Sequence, residues 1–304
     1  MKAAGPFHGY MRFSSADRWI TSELQRVEAA VAQGFADYRL DNVANAIYQF
    51  VWDEYCDWYL EVAKVQIAEA QKAADAASQR ATRRTLIRVL ETVLRLLHPI
   101  APFITAELWN TVAPVAGRQG SGATHTTITT APYPQAQLEK VDAAADAWMG
   151  KLKSLVAAVR SLRSEMSLSP GERKPLYAMG DAAFVGSAVP LLKALAKLSE
   201  VTLFSDEAAF AKASGMSPVA VLGDLRLALH VEVDLVAERA RIAKEVARLS
   251  AETTKLEAKL GNDGFVARAP AAVVAQERQR LQDYQLTLGR LQDQAARLET
   301  AAPA

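Results

Sequence analysis

Four histidines, His8, His98, His125 and His230, are the side chains best suited to proton transfer or metal binding near neutral pH. They are widely scattered, no pair has metal-ligand spacing, and neither an HExxH helix nor a nucleophile elbow occurs. His98 stands just before Pro99, where a helix end is due, and suits a cap or dipole partner better than a base. Asp53, Glu54 and Asp57 gather three carboxylates with the spacing of a solvated helix face. Gly117, Gly120 and Gly122 are only superficially like a phosphate-cradling loop, because the Lys-Ser/Thr ending and the preceding apolar strand are missing. No catalytic residue and no metal ligands are expected. The remaining concentration of chemistry is aromatic: Tyr48, Phe50, Trp52, Tyr55, Trp58 and Tyr59 fall within "RLDNVANAIYQFVWDEYCDWYLEVAK".

A helix must carry that run. At the α-helical period Ile47, Val51, Tyr55, Trp58 and Val62 form one stripe, and Tyr48, Trp52 and Tyr59 widen it. The opposite face carries Arg39, Asn42, Asp53, Asp57 and Lys64, and Asp41 or Asn42 is the expected N-cap. Such a wide apolar face packs against two neighbours. Phe50 alone lies among the polar residues, where it packs on a third helix or offers a surface on which a base stacks.

Helices flank it on both sides. "SSADRWITSELQRVEAAVAQG" opens on a Ser14 or Ser15 cap and closes at Gly34. After the polar, Ala-rich connection "AEAQKAADAASQR" comes a helix with Leu86, Leu90, Val93 and Leu97 on one stripe and Arg84, Arg88 and Arg95 on another. Pro99 and Pro102 break it before "FITAELW" restarts it. Residues 1–115 are expected to form an antiparallel helix bundle, and the Gly/Ser/Thr/Pro-rich residues 116–135 a flexible linker. Residues 136–233 mix a helix near Ala143–Met166 with strand-like "KPLYAM", "EVTLF", "PVAVLG" and "LRLALHVEVD", a small α+β unit with a turn at Gly223-Asp224. From residue 234 the period becomes seven: Leu235, Ile242, Leu249 and Leu256, then Val274, Leu281 and Leu288 after "GNDGFVARAP". Two heptad helices with a short break fold back as an antiparallel coiled-coil hairpin, each arm roughly 40 Å long. The fold class is thus mainly α.

The 304 residues suit two or three domains, and half of them are apolar. A net charge of +1 means that any nucleic-acid contact uses local patches. The single cysteine, Cys56, excludes an internal disulfide framework and a Cys-rich zinc site, and fits a reducing cytoplasm. No apolar run approaches a membrane span, and "MKAAGPFHGYM" lacks a signal peptide's apolar stretch.

"FVWDEYCDWYLEVAK" and "LLHPIAPFITAELW" resemble the anticodon-binding domain of class I aminoacyl-tRNA synthetases, the first string being most similar to the valyl members. "RSLRSEMSLSPGERKPL" resembles the segment that follows, and "KLGNDGFVARAPAAVVAQERQRL" the tip of the valyl family's C-terminal coiled-coil arm. The family's ATP-handling HIGH-like and KMSKS-like motifs do not occur, nor does its editing domain. The resemblance implies the tRNA-holding portion of a valine–tRNA ligase, its bundle N-terminally truncated by one helix, inactive alone and cytoplasmic, with tRNA(Val) as partner; a monomer is expected. It implies no cofactor here, ATP being used by the full-length enzyme. It implies RNA contacts from Arg39, Asn42, Phe50, Arg84 and Arg88 in the bundle, and from Arg241, Lys244, Arg248, Phe265, Arg268, Arg278 and Arg280 in the arm. Each basic arm residue taken singly suits a solvated heptad flank better than an RNA contact, Phe265 suits packing over the hairpin's open end as well as stacking, and a scaffold that pairs with a partner coiled coil is the alternative. Complementary Glu/Lys ladders would mark the scaffold, and basic residues grouped near the tip would mark the RNA arm.

Overall fold

The structure, a computed structural model, describes residues 9–118, 127–215, 217–230, 235–261 and 271–300. They divide into two compact units, one ending at His230 and one beginning at Val231.

The first unit opens with α1, Ser15–Ala36. Ser14 caps it in a reciprocal capping box with Asp17, which satisfies backbone donors at the helix start. The helix runs past Gly34, which is buried where Val43 crosses it; a Cβ there would lie 2.7 Å from a Val43 methyl. The turn back uses Tyr38 at φ 56°.

The aromatic helix is continuous but not uniform. α2 covers Leu40–Gln49, a π-helical segment covers Phe50–Tyr59, and α3 covers Leu60–Lys72. Arg39 precedes α2 without a side-chain cap, so neither Asp41 nor Asn42 is the N-cap. In the π segment the bonds reach one residue further back, as from the Leu60 N–H to the Tyr55 carbonyl. Each turn holds more residues, so the buried line advances faster than the α-period predicts. It runs through Ile47, Phe50, Tyr55, Tyr59 and Val62. Phe50 is only 2% exposed, whereas Tyr48 and Trp52, expected beside the core, are 62% and 57% exposed. Trp58 and Val51 are half-buried.

The Ala-rich stretch expected as a connection is mostly helix, as its high alanine content allows. α3 ends at Lys72 and α4, Ala76–Leu97, starts on an Asp75 cap. α5, Pro102–Val115, begins with Pro at its first turn, where no backbone donor is lost. The latter part of the expected linker is pinned to the bundle. Ile128 is buried beside Trp109, and the Tyr133 hydroxyl donates to the Leu96 carbonyl at 2.9 Å.

α6, Ala143–Glu165, packs on α1 and on a four-stranded sheet. The strands are β1 (Lys174–Met179), β2 (Leu198–Phe204), β3 (Val219–Leu222) and β4 (Leu225–Leu229). Their order is β2-β1-β4-β3, with β1 and β2 parallel and the other pairs antiparallel. The parallel crossover is α7, Ala182–Leu195; α8, Glu207–Ser214, follows β2, and β3 and β4 form the hairpin expected at Gly223-Asp224. One hydrophobic core runs from Trp19 and Tyr59 through Met149 and Leu155 to Leu176 and Leu227, so the bundle and the α+β part share their interior.

The second unit is a pair of helices, α9 (Leu235–Leu260) and α10 (Ala271–Thr300). Ile242, Leu249, Leu256 and Val274 are buried between them. Lys259 bridges to Glu277 at 2.8 Å, and the Gln285 amide donates to Glu257 at 3.0 Å, so residue numbers fall along one helix as they rise along the other. This is the antiparallel hairpin that the two heptad seams require.

Candidate nucleic-acid interface

Arg84 and Arg88 stand one α-helical turn apart on α4, and Arg95 two further turns on, so the three share a face. That face forms one wall of a cleft of about 660 Å³. α1 supplies the opposite wall with Leu24, Gln25 and Glu28, and Arg118, Tyr133 and Lys140 close its rim.

The cations there are not equivalent. Glu91, fully buried behind the cleft, accepts from Arg95 at 2.6 and 2.9 Å, from the Trp109 indole at 3.2 Å, and lies 3.6 Å from Arg118. Burial alone would raise the Glu91 carboxyl; the Arg95 contacts outweigh it and hold the group below the usual range. Arg95 also donates to the Pro132 carbonyl at 2.7 Å, which fastens the following loop. Arg95 and Arg118 are therefore committed to the protein. Arg84 and Arg88 are exposed, and no described side chain makes an ion pair or hydrogen bond with either. Arg88 is held below its usual value by partial burial and then by the charges of Arg118 and Arg84. Two unneutralised guanidiniums beside a polar cleft are an anion-receiving arrangement.

The structure separates the other bundle residues from this cleft. Arg39 makes a fork with Asp41 at 2.9 and 2.7 Å, and holds the Asp41 carboxyl down at about 2. Asn42 is exposed beside it, away from the cleft lining. Phe50 cannot stack on a base, because it is buried in step with Val43 and Ile47 of α2. The exposed aromatic surface is instead Tyr48 and Trp52, whose rings stack at 6.2 Å with planes 5° apart. Sequence periodicity missed this pair because it centred the apolar face on Val51 and Trp58, whereas the buried line starts from Val43, Ile47 and Phe50. Glu28 was missed as well: a lone carboxylate on an amphipathic helix gives no signal that it is only 6% exposed.

In the arm, Lys244, Arg248, Arg278 and Arg280 are exposed. Arg248 pairs with Glu245 at 2.6 Å, and Arg280 donates to the Tyr284 hydroxyl at 3.0 Å. Phe265 and Arg268 lie outside the described residues, as does the Arg241 side chain. Among the described residues no group of histidines, cysteines and carboxylates could hold a metal, and no helix is long and apolar enough to cross a membrane.

A helical bundle with a cationic cleft, continuous with a small mixed sheet, is the architecture of a module that receives an anionic partner. Residues 17–178 match the family described as the anticodon-binding domain of tRNA ligases, and the chain belongs to that family. Residues 234–299 match the valyl tRNA synthetase tRNA binding arm. The chain is 52% identical over 291 residues to a valine–tRNA ligase of Dechloromonas aromatica, covering 96% of the chain and 30% of that relative. Valine–tRNA ligases of Laribacter hongkongensis and Chromobacterium violaceum are each 44% identical, over 288 and 292 residues, with 95% of the chain and 29% of the relative covered in both. The chain thus spans about 30% of the length of the curated relatives it matches.

Proposed function

We propose that this chain is the tRNA-holding portion of a valine–tRNA ligase. The bundle holds the anticodon end of tRNA(Val), the coiled-coil arm holds the outer corner, and a catalytic domain outside these residues joins valine to the tRNA with ATP. The observation that carries the reading is the occurrence of both domain families, in order, in one chain. In the bundle, the unpaired Arg84 and Arg88 hold phosphates, while the exposed Tyr48–Trp52 pair supplies a stacking surface. Arg39 and Asn42 extend the polar face. In the arm, Lys244, Arg248, Arg278 and Arg280, together with Arg241, Phe265 and Arg268, meet the RNA by shape and backbone. The chain works in the cytoplasm as a monomer and has no cofactor of its own.

The test is a salt titration of binding to tRNA(Val) and to a non-cognate tRNA. The expected result is salt-dependent binding with preference for tRNA(Val), and no valine-dependent ATP–pyrophosphate exchange. Equal or absent binding of the two tRNAs, or measurable exchange, overturns the reading.

A further inference from the structure

We propose that the cleft between α1 and α4 is a phosphate-binding site coupled to proton uptake: Arg84 and Arg88 receive the phosphate group, and the Glu28 carboxyl must be neutral for it to stay.

The geometry sets the coupling. Glu28 lines the same cleft as the two free guanidiniums and is nearly enclosed. The groups that act on it directly are Arg95 from α4, Lys140 from the loop before α6, and the Gln25 side chain on α1, which hydrogen-bonds to it; Arg84, Arg88, Arg118 and Tyr133 line the rest of the same cleft. None of these cations comes within ion-pair distance of its carboxyl, and Arg95 and Arg118 already serve Glu91. A phosphate seated against Arg84 and Arg88 relieves the like-charge crowding around Arg88. An ionised carboxylate in the same partly water-excluded cleft would repel it. Protonation removes that repulsion and turns the carboxyl into a donor toward the phosphate oxygen. The proton is within reach near neutrality, because burial, against the weaker pull of Arg95, pushes Glu28 up to about 7. The cleft volume suits a phosphate with an attached nucleoside. That the phosphate belongs to RNA rests on the function proposed above; the proton linkage rests on the cleft alone.

The experiment is isothermal titration calorimetry on the full chain, with tRNA and separately with inorganic pyrophosphate, in buffers of differing ionisation enthalpy. Glu28→Gln provides the baseline, since it keeps the shape, cannot titrate, and cancels proton changes of the ligands themselves. Arg84→Ala/Arg88→Ala tests the receiving groups. The expected result is proton uptake in excess of Glu28→Gln for both ligands. Affinity should also weaken roughly tenfold relative to that variant from pH 6 to pH 8, as one group titrating near 7 requires. The double arginine variant should lose the excess uptake. Excess uptake with pyrophosphate alone, while tRNA binds without it, supports the site and assigns its phosphate to a free ligand. Excess uptake with pyrophosphate and no tRNA binding at any pH keeps the site and removes the proposed function. Binding of tRNA with no excess uptake for either ligand overturns the proton-linked site and leaves the proposed function standing. Binding of neither ligand overturns both.

Discussion

The Tyr59 hydroxyl donates to the Oδ1 of Asp17 at 2.7 Å, with Tyr59 fully buried and Asp17 1% exposed. Asp17 also closes the capping box of α1 and accepts from Thr82 on α4 at 3.3 Å. One carboxylate thereby ties three helices that are distant in sequence. Burial pushes its carboxyl up despite these hydrogen bonds.

Tyr59→Phe should cost about 1–3 kcal/mol, because the buried carboxylate loses a donor that water cannot replace. The check is urea unfolding: the midpoint should fall while the slope is kept. An unchanged midpoint would mean that Asp17 is satisfied without Tyr59.

Phe50→Ala should cost about 3–5 kcal/mol, as for emptying a large aromatic core position. Trp52→Ala, at an exposed site, should fall within about 0.5 kcal/mol of the parent. If Trp52 stacks on RNA, its loss should weaken tRNA binding by about 1–3 kcal/mol with the salt slope intact. The two thermal melts and one binding isotherm decide between the roles.

Glu28→Gln should stabilise the fold in alkaline buffer and do nothing in acid. The folded pKa of Glu28 is raised from 4.5 to about 7. Its contribution is therefore fully present below about pH 4.5 and is lost as pH rises through about 7. Glutamine has no proton to lose, so the variant should gain on the parent across that window, by at most roughly 3 kcal/mol at pH 8. Denaturant midpoints at pH 4 and pH 8 measure it; equal gains at both would point to packing instead.

Arg84→Ala and Arg88→Ala should each flatten the slope of log affinity against log salt by about one unit if each meets a phosphate, with little change in preference among tRNAs. Arg39→Ala should do less, because its guanidinium is already forked on Asp41. Loss of preference without a change in slope would make the cleft a base reader.

Leu249→Ala, deep in the arm seam, should cost about 2–5 kcal/mol in the arm. The bundle should melt unchanged, since the arm forms its own compact unit. A single shifted transition seen by both near-ultraviolet and far-ultraviolet dichroism would show the two units unfold together.

Periodicity by itself determined most of the helices and the coiled-coil arm, and turn residues determined the hairpin at Gly223-Asp224. Spacing in a chain is spacing on a face whenever the local winding is regular, and the heptads of Ile242, Leu249 and Leu256 are the clearest case. The same regularity placed Arg84, Arg88 and Arg95 together before any fold was known. Tertiary structure decided what regular winding could not. The packing of α2 buried Phe50 in step with Val43 and Ile47 and left Tyr48 and Trp52 at the surface, and the i to i+5 bonds after it kept Tyr55 and Tyr59 on the buried side. The packing of α1 against α4 enclosed Glu28, and the reach of Glu91 chose which arginines stay free. Those outcomes depend on groups brought together across long stretches of chain, and burial and pairing are properties of that assembly rather than of any local run of residues.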